Sequence, residues 1–184
     1  MKTPLVNMAM AFSIGAHAGI GQVRRHDNSA YWKHPERVVR LLVSSGITDE
    51  NVLAAAYLHD TLEDTKVTVQ DLQAIFPPEV VKLVLELTDV YQDKRFGNRK
   101  LRKEMEAQRL WSISVEAQNV KLADFLDNWS TISTQEPKFA ETFAREKRMI
   151  ISGFKGEVNK KLLESANKEI DTFLQNHVYK SKDA

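Results

Sequence analysis

Two histidines and four carboxylates occur in this chain at spacings that could hold a metal ion. The segment 59–64 reads HDTLED and follows an apolar run, 52–58, that predicts a buried helix. Charged groups at the end of a buried element are costly unless they are paired or bound to metal. On a continued helix, residues four apart share a face, which would pair His59 with Glu63 and Asp60 with Asp64. The segment is therefore predicted to hold a metal ion and the groups that handle protons beside it.

Further ligands are predicted at two other places where a polar residue borders an apolar run. His34 precedes Pro35 at a predicted helix start, and Asp124 lies in the segment 120–128, one helical turn before Asn128. A helical bundle can bring such side chains together from separate helices. The resulting set of nitrogen and oxygen ligands suits manganese, iron, zinc or a similar divalent ion, and it leaves positions open for water and substrate. Such an ion would polarise a phosphoryl oxygen and acidify water, with Glu63 and Asp64 as candidates for proton handling.

The elements that must position these residues are predicted to be helices. Prolines lie at element edges, where a first-turn proline costs no hydrogen bond. No strand pattern, internal repeat or linker competes, so we predict one all-α, bundle-like domain. Apolar residues recur at three- and four-residue spacing in 5–18, 36–44, 50–60, 69–76, 78–90, 98–110, 115–132, 138–153 and 157–176.

Composition limits the function classes. The chain has 184 residues, of which 42% are hydrophobic, with a net charge of +1 and no cysteine. The charge predicts neither a nucleic-acid partner nor a membrane surface, and no apolar run has the length of a membrane span. Absence of cysteine excludes disulfides and thiolate zinc sites and favours the cytoplasm. The oligomeric state is left open.

Two polar stretches and the remaining histidines are interpreted more simply. The segment 19–33 lacks periodicity and should be an exposed loop, while the basic stretch 92–103 is either a solvated face or a rim that attracts phosphates. The other histidines are assigned no function: His17 is predicted to pack, His26 to lie in the loop and His177 near the end of the chain.

Taken in order, these motifs resemble a known family. The opening loop, residues 21–25 with Tyr31 and the pair 34–35, the segment 59–65, and the segment 121–124 with Asn128 and Thr131 are similar to the motifs of the HD-domain metal-dependent phosphohydrolases. Within that family they resemble the hydrolase domains of the Rel/SpoT enzymes that degrade (p)ppGpp. The resemblance implies an HD-type hydrolase domain over residues 1–179 and a frayed tail over 180–184. It also implies a small stand-alone alarmone hydrolase, since the chain has no room for the synthetase and regulatory domains.

The resemblance also implies a role for each matching residue. One metal ion, usually manganese in the family, would be held by His34, His59, Asp60 and Asp124. Glu63 and Asp64 would orient and activate the attacking water. The nucleotide substrate would be contacted by Arg24 or Arg25, Lys121, Asn128 and Thr131, with an arginine packed on the base. The implied reaction removes pyrophosphate from the 3′ position of ppGpp or pppGpp and leaves GDP or GTP.

The chain departs from the Rel/SpoT pattern at two positions of the third motif. Phe125 and Asp127 occupy positions where those proteins commonly have arginine and histidine, and the loop lacks their usual glycine- and proline-containing turn. Counting from Gln22 favours Arg24 as the base-packing arginine, whereas counting back from His34 can favour Arg25. Two alternatives stay open: hydrolysis of another nucleotide, such as an adenosine alarmone, NADPH or a deoxynucleoside phosphate, and a nucleotide sensor without turnover.

Overall fold

The computed structural model is all-α, as predicted. It describes residues 3–25, 27–154 and 156–180, the last four of these by backbone alone. Among these residues, β-type pairing is limited to one isolated antiparallel bridge between Val23 and Ala30. The helices are α1 (Pro4–Gly19), α2 (Lys33–Ser44), α3 (Glu50–Leu58), α4 (Thr61–Asp64), α5 (Val69–Ile75), α6 (Pro78–Leu87), α7 (Arg99–Leu110), α8 (Val115–Gln135), α9 (Pro137–Ser152) and α10 (Lys160–Lys180).

Three predictions fall wholly or partly outside the described residues. They concern His26, the side chain of His177 and the tail from residue 181 onward. Helix α10 itself continues to Lys180, the first residue of the predicted tail. No helix in the described ranges is both long enough and apolar enough to cross a membrane.

Helix starts follow local chemistry. Proline lies in the first turn of α1, α6 and α9, where its missing N–H removes no intrahelical bond. Polar side chains accept hydrogen bonds from the first-turn amides of other helices, including Thr68 before α5, Asn98 before α7 and Ser114 before α8. Helix α2 begins two residues ahead of Pro35, so His34 lies within its first turn.

Helix α3 lies at the centre of the core and makes contacts with α1, α2, α6 and α8. Every side chain from Val52 to Leu58 is buried, which explains why this segment is apolar on all sides rather than on one face. Helix α8 packs against α2, α3, α6, α9 and α10. The beginning of α2, the end of α3 and the middle of α8 therefore meet inside the molecule.

Residues 59–64 do not continue helix α3, so the shared helix face considered for them is not formed by one helix. Helix α3 ends at Leu58, and α4 is a separate four-residue helix that starts at Thr61. His59 and Asp60 form the turn between them, with right-handed helical backbone angles. The amide of Asp64 still bonds to the carbonyl oxygen of Asp60 (2.9 Å), so the four-residue spacing survives locally. Because the turn faces the core, both ligand candidates project inward.

A close contact at the end of α9 gives a test of the packing. A Cβ added to Gly153 would collide with the Trp111 indole, whose Nε1 donates to the Ile150 carbonyl at 2.9 Å. Gly153→Ala should lower the free energy of unfolding by about 1–3 kcal/mol, as overpacked substitutions do. Gly15→Ala is the matched control, since nothing lies within 4 Å of that Cβ on α1. Urea denaturation of both variants checks this, and an unchanged Gly153→Ala midpoint would show that the indole can move aside.

Candidate active site

Four predicted ligands converge from three elements. His34 comes from the first turn of α2, His59 and Asp60 from the turn after α3, and Asp124 from the middle of α8. His34 Nε2 lies 3.1 Å from Asp124 Oδ1 and 3.6 Å from Asp60 Oδ2. His59 Nε2 lies 3.0 Å from Asp60 Oδ2 and 3.8 Å from Asp124 Oδ1. Two imidazole nitrogens and two carboxylate oxygens therefore face one small, buried space.

In their neutral form, both imidazoles direct an unprotonated nitrogen into this space. His59 Nδ1 donates to the carbonyl oxygen of Ala56 (2.8 Å), and His34 Nδ1 donates to Asp127 Oδ2 (2.6 Å). In a neutral imidazole this leaves Nε2 as the acceptor. His59 Nε2 is buried and has no hydrogen-bond partner among the described residues. A buried polar atom without a partner needs an explanation, and a divalent metal ion would provide one.

The donor set itself fits a metal ion. One atom each from His34, His59 and Asp124 lie within 4.8 Å of one another, and Asp60 supplies a further oxygen beside both histidines. Mixed imidazole and carboxylate ligands with open positions are typical of catalytic divalent-metal sites. The histidines are also fixed through their other nitrogens, as metal-binding histidines usually are.

The charges of the four groups support one another. Burial alone would lower the pKa of both histidines, but the neighbouring carboxylates Asp60 and Asp124 raise it. Burial would likewise raise the pKa of those carboxyls, whereas the two histidines hold it below its ordinary value. The space therefore favours two carboxylates beside positive charge, which is the environment that suits a cation.

Tyr31 adds a hydrogen bond to one of the ligand candidates. Its hydroxyl donates to Asp60 Oδ2 (2.6 Å), and burial, together with the nearby carboxylates, raises the pKa of Tyr31 above its ordinary value. The phenol is therefore a neutral donor that orients the carboxylate. The sequence placed Tyr31 in the opening motif without giving it a role.

Glu63 is fixed by hydrogen bonds from the segment 89–92, which follows α6. The amide of Asp89 donates to Glu63 Oε1 (2.8 Å), and Gln92 donates through its side-chain amide to Oε2. Burial, reinforced by the charge of Asp89, raises the pKa of Glu63 to about 7, against the opposing effect of Lys121. A carboxyl group with this pKa can both accept and release a proton near neutrality.

Asp64 is fixed by the loop that precedes α2. Gln22 Nε2 donates to Asp64 Oδ2 (2.9 Å), and His17 Nδ1 donates to Gln22 Oε1 (2.6 Å). His17 is fully buried, as a packing histidine should be, and burial lowers its pKa. Its link through Gln22 to Asp64 was not predicted, because Asp64 lies 42 residues beyond Gln22 in the sequence.

The two candidate base-packing arginines have different surroundings. The Arg24 side chain is only 3% exposed and forms an ion pair with Asp127 Oδ2 at 2.9 Å. Its Nη2 also donates to Asn128 Oδ1 (3.1 Å). The Arg25 side chain is 84% exposed and lies 3.7 Å from Glu136. The prediction of an exposed loop is therefore wrong at Arg24, because its charge is matched by a buried carboxylate.

The remaining predicted contacts lie along α8. Asn128 Nδ2 donates to Asp124 Oδ1 (2.6 Å), so the expected proximity of these two residues is present. Lys121 Nζ lies 3.3 Å from Asp89 Oδ1, which raises the pKa of this buried lysine against the opposing effect of burial. Thr131 is half-buried, three residues beyond Asn128 on the same helix. Phe125 points away into the core, where its ring stacks with Phe143.

Sequence comparison identifies a matching family model and several similar proteins. A family model described as "HD domain" matches residues 9–155. The chain is 39% identical over 119 residues to guanosine-3′,5′-bis(diphosphate) 3′-pyrophosphohydrolase MESH1 of Drosophila melanogaster, a match that covers 63% of this chain and 64% of that protein. It is 34% identical over 157 residues to a probable enzyme of the same name from Mycoplasma pneumoniae, covering 80% of this chain and 20% of that protein. The chain thus spans less than two thirds of each of these relatives.

Structural comparison gives the same picture. The structure of a metazoan ortholog of SpoT, which hydrolyses ppGpp and plays a role in starvation responses, matches with a TM-score of 0.80 at 27% identity. That match covers 96% of this chain and 97% of the other. A Listeria monocytogenes protein, lmo0812, matches with a TM-score of 0.62 at 22% identity and covers 77% of this chain and 94% of the other, a likeness of fold alone.

Proposed function

The chain belongs to the HD-domain family, and from that premise we propose that it hydrolyses the 3′-pyrophosphate of ppGpp and pppGpp. The products would be GDP or GTP and pyrophosphate. The observation that carries this proposal is the convergence of His34, His59, Asp60 and Asp124, near a glutamate whose pKa is raised to about 7. Within the described part of the chain, His59 Nε2 is buried without a hydrogen-bond partner. The names of the similar proteins supply the substrate.

One divalent metal ion is part of the proposal. His34, His59, Asp60 and Asp124 would hold it, and manganese suits this set of imidazole and carboxylate ligands. When bound, such an ion supplies Lewis-acid chemistry that polarises a phosphoryl oxygen and acidifies water. Tyr31 keeps Asp60 oriented, and Asn128 does the same for Asp124.

The proton transfers fall to Glu63 in this proposal. Water attacks the phosphorus attached to the ribose 3′-oxygen, and the bond between that phosphorus and the 3′-oxygen breaks. Glu63 takes the proton from the attacking water and can return it to the leaving 3′-oxygen, since its pKa lies near neutrality. Asp64, fixed by Gln22, would orient the water.

The nucleotide contacts in the proposal come from partly buried polar side chains of α8 and from the loop before α2. Lys121, Asn128 and Thr131 would contact the nucleotide from α8, and the Arg25 guanidinium, which is exposed and lies 3.7 Å from Glu136, would contact the base or a phosphate. Arg24 is engaged with a buried carboxylate instead. Since Phe125 points into the core, position 125 gives the substrate no charged contact.

Turnover of ppGpp by purified, manganese-loaded protein tests the proposal. Manganese-dependent formation of GDP and pyrophosphate in equal amounts is the expected result. An adenosine alarmone, NADPH and deoxynucleoside triphosphates are assayed alongside, with release of phosphate and pyrophosphate followed separately. Turnover of one of these compounds but not of ppGpp would support the HD site and show that the proposed substrate is wrong. Tight binding of ppGpp without turnover would show that the chain is a nucleotide sensor and not a hydrolase.

A further inference from the structure

Asp127 is the centre of a hydrogen-bonded cluster that lies beside the candidate metal site. Its side chain is 4% exposed and lies on α8, three residues after Asp124. Its carboxylate accepts hydrogen bonds from His34 Nδ1 (2.6 Å), Arg24 Nη1 (2.9 Å) and Arg37 Nε (2.6 Å). We propose that Asp127 is a positioning residue for the ligand His34, and that Arg24 and Arg37 brace it. The inference rests on the metal site of the proposed function.

The hydrogen bond between His34 and Asp127 determines which ring nitrogen of His34 can bind a metal ion. Because Asp127 Oδ2 accepts from Nδ1–H, the proton of neutral His34 stays on Nδ1, and Nε2 faces Asp60 and Asp124 as an electron-pair donor. A carboxylate in this position also fixes the ring orientation and makes the opposite nitrogen more basic. Removing such partners of metal-bound histidines usually weakens metal binding or activity about 10–100-fold.

The two arginines make this buried carboxylate tolerable. An isolated carboxylate in the interior would be strongly disfavoured, but here each oxygen receives at least one guanidinium N–H. Arg24 reaches it from the loop before α2, and Arg37 from α2 itself, one turn beyond His34. The carboxylate is therefore held between the loop and the helix that carry the ligand.

Arg24 also connects this cluster to a second ligand. Its Nη1 bonds to Asp127, which holds His34, while its Nη2 bonds to Asn128, which donates to Asp124 Oδ1. One buried guanidinium thus supports two of the four ligands through two different partners. This assigns Arg24 to the metal site and leaves recognition of the substrate base to other groups, with Arg25 the exposed alternative.

Metal affinity, measured without substrate, tests the inference. Apo-protein is titrated with Mn²⁺. Binding is measured from the electron paramagnetic resonance signal of free Mn²⁺ or from the heat of binding by calorimetry. Asp127→Asn keeps the shape but loses the charge, and it should bind Mn²⁺ about 10–100-fold more weakly. Asp127→Glu should recover part of the affinity. Arg24→Ala should also weaken Mn²⁺ binding, whereas Arg25→Ala should raise KM for ppGpp with unchanged Mn²⁺ affinity.

Arg37→Gln tests the same inference at a partly exposed position, in case the buried substitutions prevent folding. Its side chain is 37% exposed, so the loss should be tolerated, and it should lower Mn²⁺ affinity in the same direction but by less than Asp127→Asn. Arg40→Gln is the matched control on the same helix, since that arginine is 73% exposed and pairs only with Glu36 among the described residues. Its Mn²⁺ affinity should equal that of the wild type.

Two results would overturn the inference while leaving the proposed hydrolysis intact. One is native Mn²⁺ affinity in folded Asp127→Asn and Arg37→Gln proteins that still turn over ppGpp. The other is an Arg24→Ala protein with raised KM and unchanged Mn²⁺ affinity, which would return Arg24 to the substrate. Conversely, weakened Mn²⁺ binding by these variants in a protein that never hydrolyses ppGpp would support the inference and reject the proposed substrate.

Discussion

Replacing His59 with alanine should abolish Mn²⁺ binding and ppGpp hydrolysis together. His59 Nε2 is buried, faces Asp60 Oδ2 at 3.0 Å and has no hydrogen-bond partner among the described residues, so a metal ion is the partner that it lacks. The alanine variant removes one ligand and leaves two neighbouring carboxylates with one imidazole. Activity should fall at least about 10³-fold, because losing the ion removes more transition-state stabilisation than losing one hydrogen-bond donor does. Asp124→Ala should behave in the same way.

Equilibrium Mn²⁺ titration and turnover measured on the same preparations check this prediction. Asp171→Ala serves as the control, since that carboxylate is exposed on α10 and pairs with Arg148. Saturating Mn²⁺ should raise the unfolding temperature of the wild type and of the control, because a ligand that binds only the folded state stabilises it. It should leave that of folded His59→Ala unchanged. Native Mn²⁺ affinity in His59→Ala would remove His59 from the ligand set.

The gathering of the four ligand candidates could be predicted because each lies at the edge of an apolar helical run. Helical periodicity located α2, α3 and α8, and a bundle brings side chains from separate helices together. The structure places His34, His59, Asp60 and Asp124 around one space, while their binding of a metal ion remains a prediction. The all-α fold was predictable for the same reason, since no segment competed with the helical pattern.

The break between α3 and α4 could not be read from the sequence. Neither His59 nor Asp60 is a residue that ends helices, and both keep right-handed backbone angles. Helix α6 likewise ends at Leu87, three residues before the predicted end, where Thr88 becomes extended and its hydroxyl bonds to the Val84 carbonyl. That early end matters for the site, because it frees the amide of Asp89 to bond to Glu63.

The surroundings of Arg24 could not be predicted either. Its partner Asp127 lies 103 residues away in the sequence, and position 127 was noted as a departure from the Rel/SpoT pattern. Only the folded chain shows that this departure supplies a carboxylate to both His34 and Arg24. Local patterns identify residue types suited to chemistry, whereas the partner of a buried charge depends on tertiary packing.

Glu63→Gln should remove most ppGpp turnover while Mn²⁺ binding stays native. The substitution keeps the size of the side chain but removes its ability to take a proton from water, and such acid–base help is typically worth about 10²–10⁴-fold. The Asp89 amide can still donate to the remaining carbonyl oxygen, so the segment that holds residue 63 should stay in place. Measuring kcat and Mn²⁺ affinity separately distinguishes this result from loss of the metal. Glu104→Gln, at an exposed carboxylate on α7, should leave both unchanged.

The pH dependence of kcat/KM gives a second test of Glu63 as the proton acceptor. Burial, together with the charge of Asp89, raises the pKa of Glu63 to about 7, so below that pH the group is largely protonated and cannot accept a proton from water. The value of kcat/KM should therefore rise as pH increases towards 7. A bound divalent cation favours the carboxylate form, so the inflection should lie at or below pH 7 in manganese-loaded protein. This inflection should vanish in Glu63→Gln. If that variant kept full activity and the same profile, the proton transfer would belong to another group, with Asp64 the nearest candidate in the sequence.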